Sequence, residues 1–166
     1  YEAPNQLLMN ISRGGVIRFV DMADDYGIDF KTGALSASFV DKDGDGYLDL
    51  FIQNYHIEPA AGRPESIESE VREGVVKLRP PWDSAYIRYL NKEGEAQWVE
   101  GPLADLLYRN NGKGKFEVMP DPFVGTQRSY STAHSWLDID QDLLPDLFLA
   151  NDSHGPDALL QNGGAN

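Results

Sequence analysis

The sequence predicts an all-β fold assembled from repeated strand units. Three observations predict it: short apolar runs bounded by Gly, Asn and Asp; an acidic nine-residue loop between two such runs, present twice; and a Leu-rich element closing on Asn, present three times. The 166 residues with 41% apolar content support one core of ordinary domain size. Lys and Arg number 14 against 27 Asp and Glu, a net charge of −13. That balance disfavours a phosphate backbone or an anionic membrane surface as partner, because both require clustered basic groups. No apolar run reaches the ~20 residues that span a bilayer. With no cysteine, disulfides and thiolate sites are excluded, and stability must come from packing, hydrogen bonds or a hard metal.

The first acidic loop is Asp41-Lys42-Asp43-Gly44-Asp45-Gly46-Tyr47-Leu48-Asp49, with carboxylates at positions 1, 3, 5 and 9. Like charges this close repel, whereas Ca²⁺ takes six to eight oxygens at ~2.3–2.6 Å and converts the repulsion into coordination. Gly44 and Gly46 permit a tight left-handed backbone that turns alternate side chains inward. The loop opens like an EF-hand, but position 12 is Ile52 where that motif needs a bidentate Glu. Asp49 at the ninth position is the expected replacement. Ser36–Val40 before the loop and Asp49–Asn54 after it read as strands. The alternative is a hairpin whose aspartates close their own turns without a metal.

The second copy, Asp138-Ile139-Asp140-Gln141-Asp142-Leu143-Leu144-Pro145-Asp146, repeats the acids at 1, 3, 5 and 9. Ala133–Leu137 precedes it as a strand and Asp146-Leu147-Phe148 opens the next. The third recurring element is Gln6–Asn10, Leu106–Asn110 and Ala158–Asn162, followed by turns such as Asn110-Asn111-Gly112-Lys113-Gly114. The closing Asn residues lie 100 and 52 residues apart. The shorter period, with short β-runs and Gly/Asn turns, points to propeller blades. The longer one is a repeat carrying an insertion. This divides the chain into a first repeat at 5–106 with an insertion at about 56–103, a second at 107–158, and the start of a third at 159–166. Two repeats cannot close a ring, so further blades or other chains are expected to complete the assembly.

The order L-L-Y-R-N-N-G, G-x-F, a small-residue strand, D-x-D-x-D-G-x-x-D-L-F and back to L-L resembles FG-GAP/VCBS-type repeats of β-propellers, whose integrin α-subunit relatives use a similar cation loop. The resemblance covers residues 5–55 and 104–166. It implies two blades of a partial propeller with an inserted loop and hairpin in the first repeat. It also implies Ca²⁺ held by Asp41, Asp43, Asp45, Asp49 and the Tyr47 carbonyl, and a second ion held by Asp138, Asp140, Asp142, Asp146 and the Leu144 carbonyl. Two departures qualify it: neither Phe-Gly nor Gly-Ala-Pro stands at the naming positions, and Gln141 and Leu143 replace both loop glycines. A non-Gly residue at left-handed φ costs on the order of 1 kcal/mol, so the second site is expected to be weaker, distorted or vacant.

Within the insertion, residues 58–70 are polar and Pro-interrupted and read as an exposed loop. Tyr86–Leu90 and Ala96–Glu100 flank Asn91–Glu95 and predict a hairpin. Trp82 is the candidate interface aromatic; Tyr86 and Tyr89 are expected to pack on the host blades.

Other chemistry is set aside on spacing. His56, His134 and His154 form no zinc motif, and His134 falls on a predicted strand as a satisfied blade residue. Ser131, His134 and Asp138 lack a nucleophile elbow. Gly112–Lys115 lacks the phosphate-loop order and is a hairpin turn. Asn10-Ile11-Ser12 and Asn151-Asp152-Ser153 match the glycosylation triplet, relevant only in a eukaryotic secretory setting. The expectation is a non-enzymatic, Ca²⁺-stabilised repeat segment, extracellular, periplasmic or at a cell surface, where calcium is abundant. It would bind or scaffold another protein. The alternative is a carbohydrate-binding module or an accessory part of a polysaccharide-acting enzyme.

Overall fold

In a computed structural model of the protein, the described residues are 4–31, 33–55, 69–72, 75–78, 86–90, 96–100, 104–119, 130–152 and 156–164. They are predominantly β. In chain order the elements are β1 (Leu8–Asn10), β2 (Phe19–Asp21), α1 (Ala23–Tyr26), β3 (Ala34–Val40), β4 (Asp49–Asn54), β5 (Ser69–Arg72), β6 (Val75–Leu78), β7 (Tyr86–Leu90), β8 (Ala96–Glu100), β9 (Leu106–Asn110), β10 (Phe116–Val118), β11 (Ser131–Leu137), β12 (Asp146–Asn151) and β13 (Ala158–Leu160).

All pairings are antiparallel. One sheet has the order β10-β9-β4-β3, a second β11-β12-β13, and the ribbons β1-β2, β5-β6 and β7-β8 stand as pairs. Each predicted acidic loop therefore joins two neighbouring strands, β3 to β4 and β11 to β12. The sheet also crosses the repeat boundary drawn at 106/107 in the sequence. Leu106–Asn110 hydrogen-bonds to β4 through Leu50↔Tyr108, Phe51↔Leu107 and Ile52↔Leu106, so residues 34–118 supply one four-stranded unit.

The apolar run Leu50-Phe51-Ile52 is buried on both faces because β4 is an inner strand covered on each side, which explains a continuous rather than alternating pattern. One face joins Leu50, Ile52, Tyr108 and Phe116 to Ala23 and Ile28 of the α1 segment. Gly27, left-handed at φ 76°, ends that single helical turn, an element the apolar spacing did not predict. The other face packs Phe51 and Leu107 against Leu147 and Leu149 of β12. Phe51 meets Trp136 and His134 edge-on, with ring centroids 5.7 and 4.8 Å away.

The seam between the two sheets is partly polar. His134 is satisfied on both ring nitrogens, Nδ1 against Gln53 Oε1 at 2.9 Å and Nε2 against Ser38 Oγ at 2.8 Å, while Trp136 Nε1 donates to the same hydroxyl. Burial lowers the His134 pKa. Asp105, also buried, accepts from Asn54 N–H at 2.7 Å and from Ser131 Oγ at 3.2 Å. Burial pushes its pKa up to about 6, against those two hydrogen bonds.

In the insertion, the predicted hairpin forms as β7-β8, from Tyr86↔Glu100 to Leu90↔Ala96. Residues 69 and 70, read as loop, belong instead to β5, which pairs with β6 through Glu70↔Lys77 and Val71↔Val76. Opposite charges across from one another and a β-branched pair were the available signal. Trp82 lies outside the described residues, as does the side chain of Tyr89; Tyr86 is buried.

Candidate metal centre

Each acidic loop is organised by its first aspartate. In the β3-β4 loop, Asp41 accepts the Asp45 N–H on Oδ1 at 3.1 Å and the Gly46 N–H on Oδ2 at 3.0 Å; Asp45 Oδ1 then accepts the Tyr47 N–H at 2.9 Å. In the β11-β12 loop, Asp138 accepts from Asp142 at 3.2 Å and Leu143 at 3.0 Å, and Asp142 from Leu144 at 2.9 Å. Donors and acceptors thus match position by position. So does the backbone: Gly44 and Gly46 have φ of 70° and 86°, and Gln141 and Leu143 take the same left-handed region at 66° and 73°. The second loop bends as the first does despite lacking glycine.

One carboxylate oxygen from each of Asp41, Asp43 and Asp45 lies within 4.8 Å of the others, and so does one from each of Asp138, Asp140 and Asp142. Two oxygens bound to one Ca²⁺ at ~2.3–2.6 Å can stand at most about 5 Å apart, so both triplets are compact enough to hold a metal ion. In the first loop, Asp43 Oδ1 is buried with no hydrogen-bond partner among the described residues, and such an oxygen is costly unless a cation meets it. The donor set is all oxygen, which suits a hard cation.

The ninth-position aspartates stand outside the triplets and tie strands together. Asp49, 1% exposed, accepts the Asn110 N–H at 2.8 Å. Burial raises its carboxyl above the usual range, against that N–H. Asp146 has both oxygens engaged, by Ile139 N–H at 2.9 Å and Asn162 N–H at 2.8 Å. Tyr47 and Leu144, at the seventh positions, are fixed by their N–H groups as above. Tyr47 also lays its ring on the β9-β10 turn, where a Cβ on Gly112 would meet it at 2.9 Å.

Sequence reasoning missed the residue that reaches furthest into the first loop. Arg109 on β9 places Nη2 2.9 Å from Asp43 Oδ2 and 3.3 Å from Asp45 Oδ2, a built-in cation among the aspartates. Gln161 holds the equivalent place and donates to Asp140 Oδ2. Both precede the Asn of the recurring Leu-rich element, and that shared position was the available signal. The following Asn is structural. Asn110 Nδ2 donates to Leu48 O at 3.1 Å, and Asn162 Nδ2 to Pro145 O at 3.2 Å and to Lys42 O at 2.8 Å. Through the last contact the two loops are neighbours.

Ser131, His134 and Asp138 are not assembled as a triad, since the first bonds Asp105 and both ring nitrogens of the second are engaged elsewhere. Among the described residues no helix is long and apolar enough to cross a membrane. No protein-family model matches the chain, and no curated protein matches it either.

Proposed function

We propose that the chain is a Ca²⁺-binding repeat segment of FG-GAP/VCBS-like propeller blades that serves outside the cytosol as a protein-interaction or scaffold module. The carrying observation is the congruence of the two acidic loops, maintained where Gln141 and Leu143 must hold a left-handed backbone. Selection for turn stability alone would favour glycine or Asn there. The meander β3-β4-β9-β10 supports the blade reading, and the neighbouring β11-β12-β13 sheet packs against it face to face.

On this reading Asp41, Asp43 and Asp45, with Asp138, Asp140 and Asp142 in the second loop, hold calcium, and the metal cross-links each strand junction. Thermal unfolding in calcium and in EGTA tests it. A ligand bound only by the folded state adds RT ln(1 + [L]/Kd), about 2.7 kcal/mol at a hundredfold excess over Kd. Identical melting curves would refute the metal role.

A further inference from the structure

The β1-β2 ribbon has the same wiring as β9-β10, but among the described residues it has no strand in the place of β4. In β9-β10, the Asn111 N–H donates to Lys115 O and the Met119 N–H to Leu107 O. Alternation along an antiparallel pair then turns Tyr108 and Asn110 to the other edge, where β4 pairs with Tyr108 and Asp49 accepts the Asn110 N–H. In β1-β2, the Ile11 N–H donates to Arg18 O and the Met22 N–H to Leu7 O. Leu8 and Asn10 are thereby turned to the opposite edge in the same way, and among the described residues no strand lies there. Asn10 keeps the local turn of its two counterparts, accepting the Ser12 N–H as Asn110 accepts Gly112 and Asn162 accepts Gly164. Among the described residues it lacks the aspartate that accepts the Asn110 and Asn162 N–H groups and the loop carbonyl that accepts from their Nδ2. Leu8 is 57% exposed where its counterpart Tyr108 is 3% exposed.

Packing gives a second, independent sign. Between the two sheets, Phe51 and Leu107 cover Leu147 and Leu149. On the opposite face of the four-stranded sheet, Leu50 and Ile52 occupy the places of Leu147 and Leu149, and Leu7 packs there as Leu107 does. Among the described residues no counterpart of Phe51 stands on this face. At that place lies a cleft of about 200 Å³ lined by Gln6, Leu7, Ala37, Phe39, Leu50 and Ile52, with Phe39 still 51% exposed. An apolar cavity of ~150 Å³ already admits an aromatic ring.

We propose that the free edge of β1 and this cleft together dock a β-hairpin from a partner polypeptide, of the type this chain forms at 34–54. The inserted strand carries Asp at the level of Asn10 to accept its N–H and, two residues on, an aromatic side chain that fills the cleft. Main-chain pairing with Leu8 and Asn10 supplies affinity, and the Asp and the aromatic residue set the register. The inference rests on the interaction-module reading above but not on its calcium part.

The test uses the full chain and a synthetic peptide covering residues 34–54, with amide hydrogen exchange resolved by NMR. Binding is expected to protect the Leu8 and Asn10 amides selectively. Peptides carrying Asp49→Ala or Phe51→Ala should bind about tenfold more weakly, the effect of one charge-assisted hydrogen bond or one buried aromatic side chain. Any of three results overturns the proposal: no binding at millimolar peptide, protection elsewhere than at Leu8 and Asn10, or variant peptides binding as tightly as the parent. Concentration-dependent dimerisation that protects the same two amides without peptide would also overturn it, by making a second copy the occupant. Loss of calcium-dependent stability removes the metal reading alone, whereas unprotected Leu8 and Asn10 amides in a calcium-stabilised chain remove the docking edge alone.

Discussion

Replacing Leu143 by glycine should stabilise the metal-free protein, contrary to the usual cost of putting glycine into an ordered chain. Leu143 has φ of 73° and is 88% exposed, so truncation removes steric strain and almost no buried apolar surface. The backbone N–H that donates to Asp138 Oδ2 remains. Relief of the left-handed penalty for a residue with a Cβ amounts to about 1–2 kcal/mol. The greater freedom of glycine in the unfolded chain offsets about 0.5–1 kcal/mol of it. The net gain lies at about 0–1.5 kcal/mol with its centre near 0.75, and for a chain of this size that centre raises Tm by roughly 2–3 °C. Gly46→Leu at the matching place of the first loop, φ 86°, should do the reverse. Thermal melts in EGTA followed by circular dichroism measure both, and calorimetric titration then shows whether Leu143→Gly tightens calcium binding. A Leu143→Gly variant no more stable than the parent would refute the reasoning, because it would mean that the left-handed backbone costs this loop nothing.

Arg109→Ala removes the guanidinium that stands 2.9 Å from Asp43 and 3.3 Å from Asp45, so calcium affinity should rise by up to about fivefold at low salt while metal-free stability falls slightly. Weaker calcium binding by titration calorimetry would show that Arg109 supports the bound loop and does not compete with the ion. For Asp105, the folded pKa of about 6 lies above the ordinary value of 3.8, so the stabilisation it confers is complete below about pH 4 and is lost as pH rises through 6. The amount is on the order of 3 kcal/mol, and Asp105→Asn should flatten the dependence of Tm on pH between 4 and 6 in EGTA. His134 acts in the opposite sense: its lowered pKa favours the neutral ring in the fold, so its contribution is present above pH 6.5 and is lost on acidification. His134→Gln should therefore weaken the fall in Tm from pH 7 to 5, and an unchanged fall would show that other groups carry it.

The strand–loop–strand units were legible because everything that shapes them lies close in sequence. Asp41 bonds amides four and five residues on, Asp45 one two residues on, and Asp138 and Asp142 repeat the scheme. Alternating aspartates carry that geometry in their spacing, even where the glycines are replaced. The apolar runs likewise announced β4, which is buried on both faces, and β12, which buries Leu147 and Leu149 on one face and leaves Phe148 exposed on the other. Spacing could not say which strand lies beside which. That β9 pairs with β4 across the whole insertion, bringing Arg109 among aspartates 64 and 66 residues earlier and the Asn110 N–H onto Asp49, is decided by closing the sheet around Phe51 and Leu107. The same holds for the polar seam. His134 finds Gln53 and Ser38, and Ser131 finds Asp105, only because two sheets bury a shared face, and burial then moves the pKa values of His134 and Asp105. Local chemistry is written along the chain; the partners of Asp49, Asp105 and His134 arise from contacts between distant segments, whose pairing is set by the total apolar surface they remove from water.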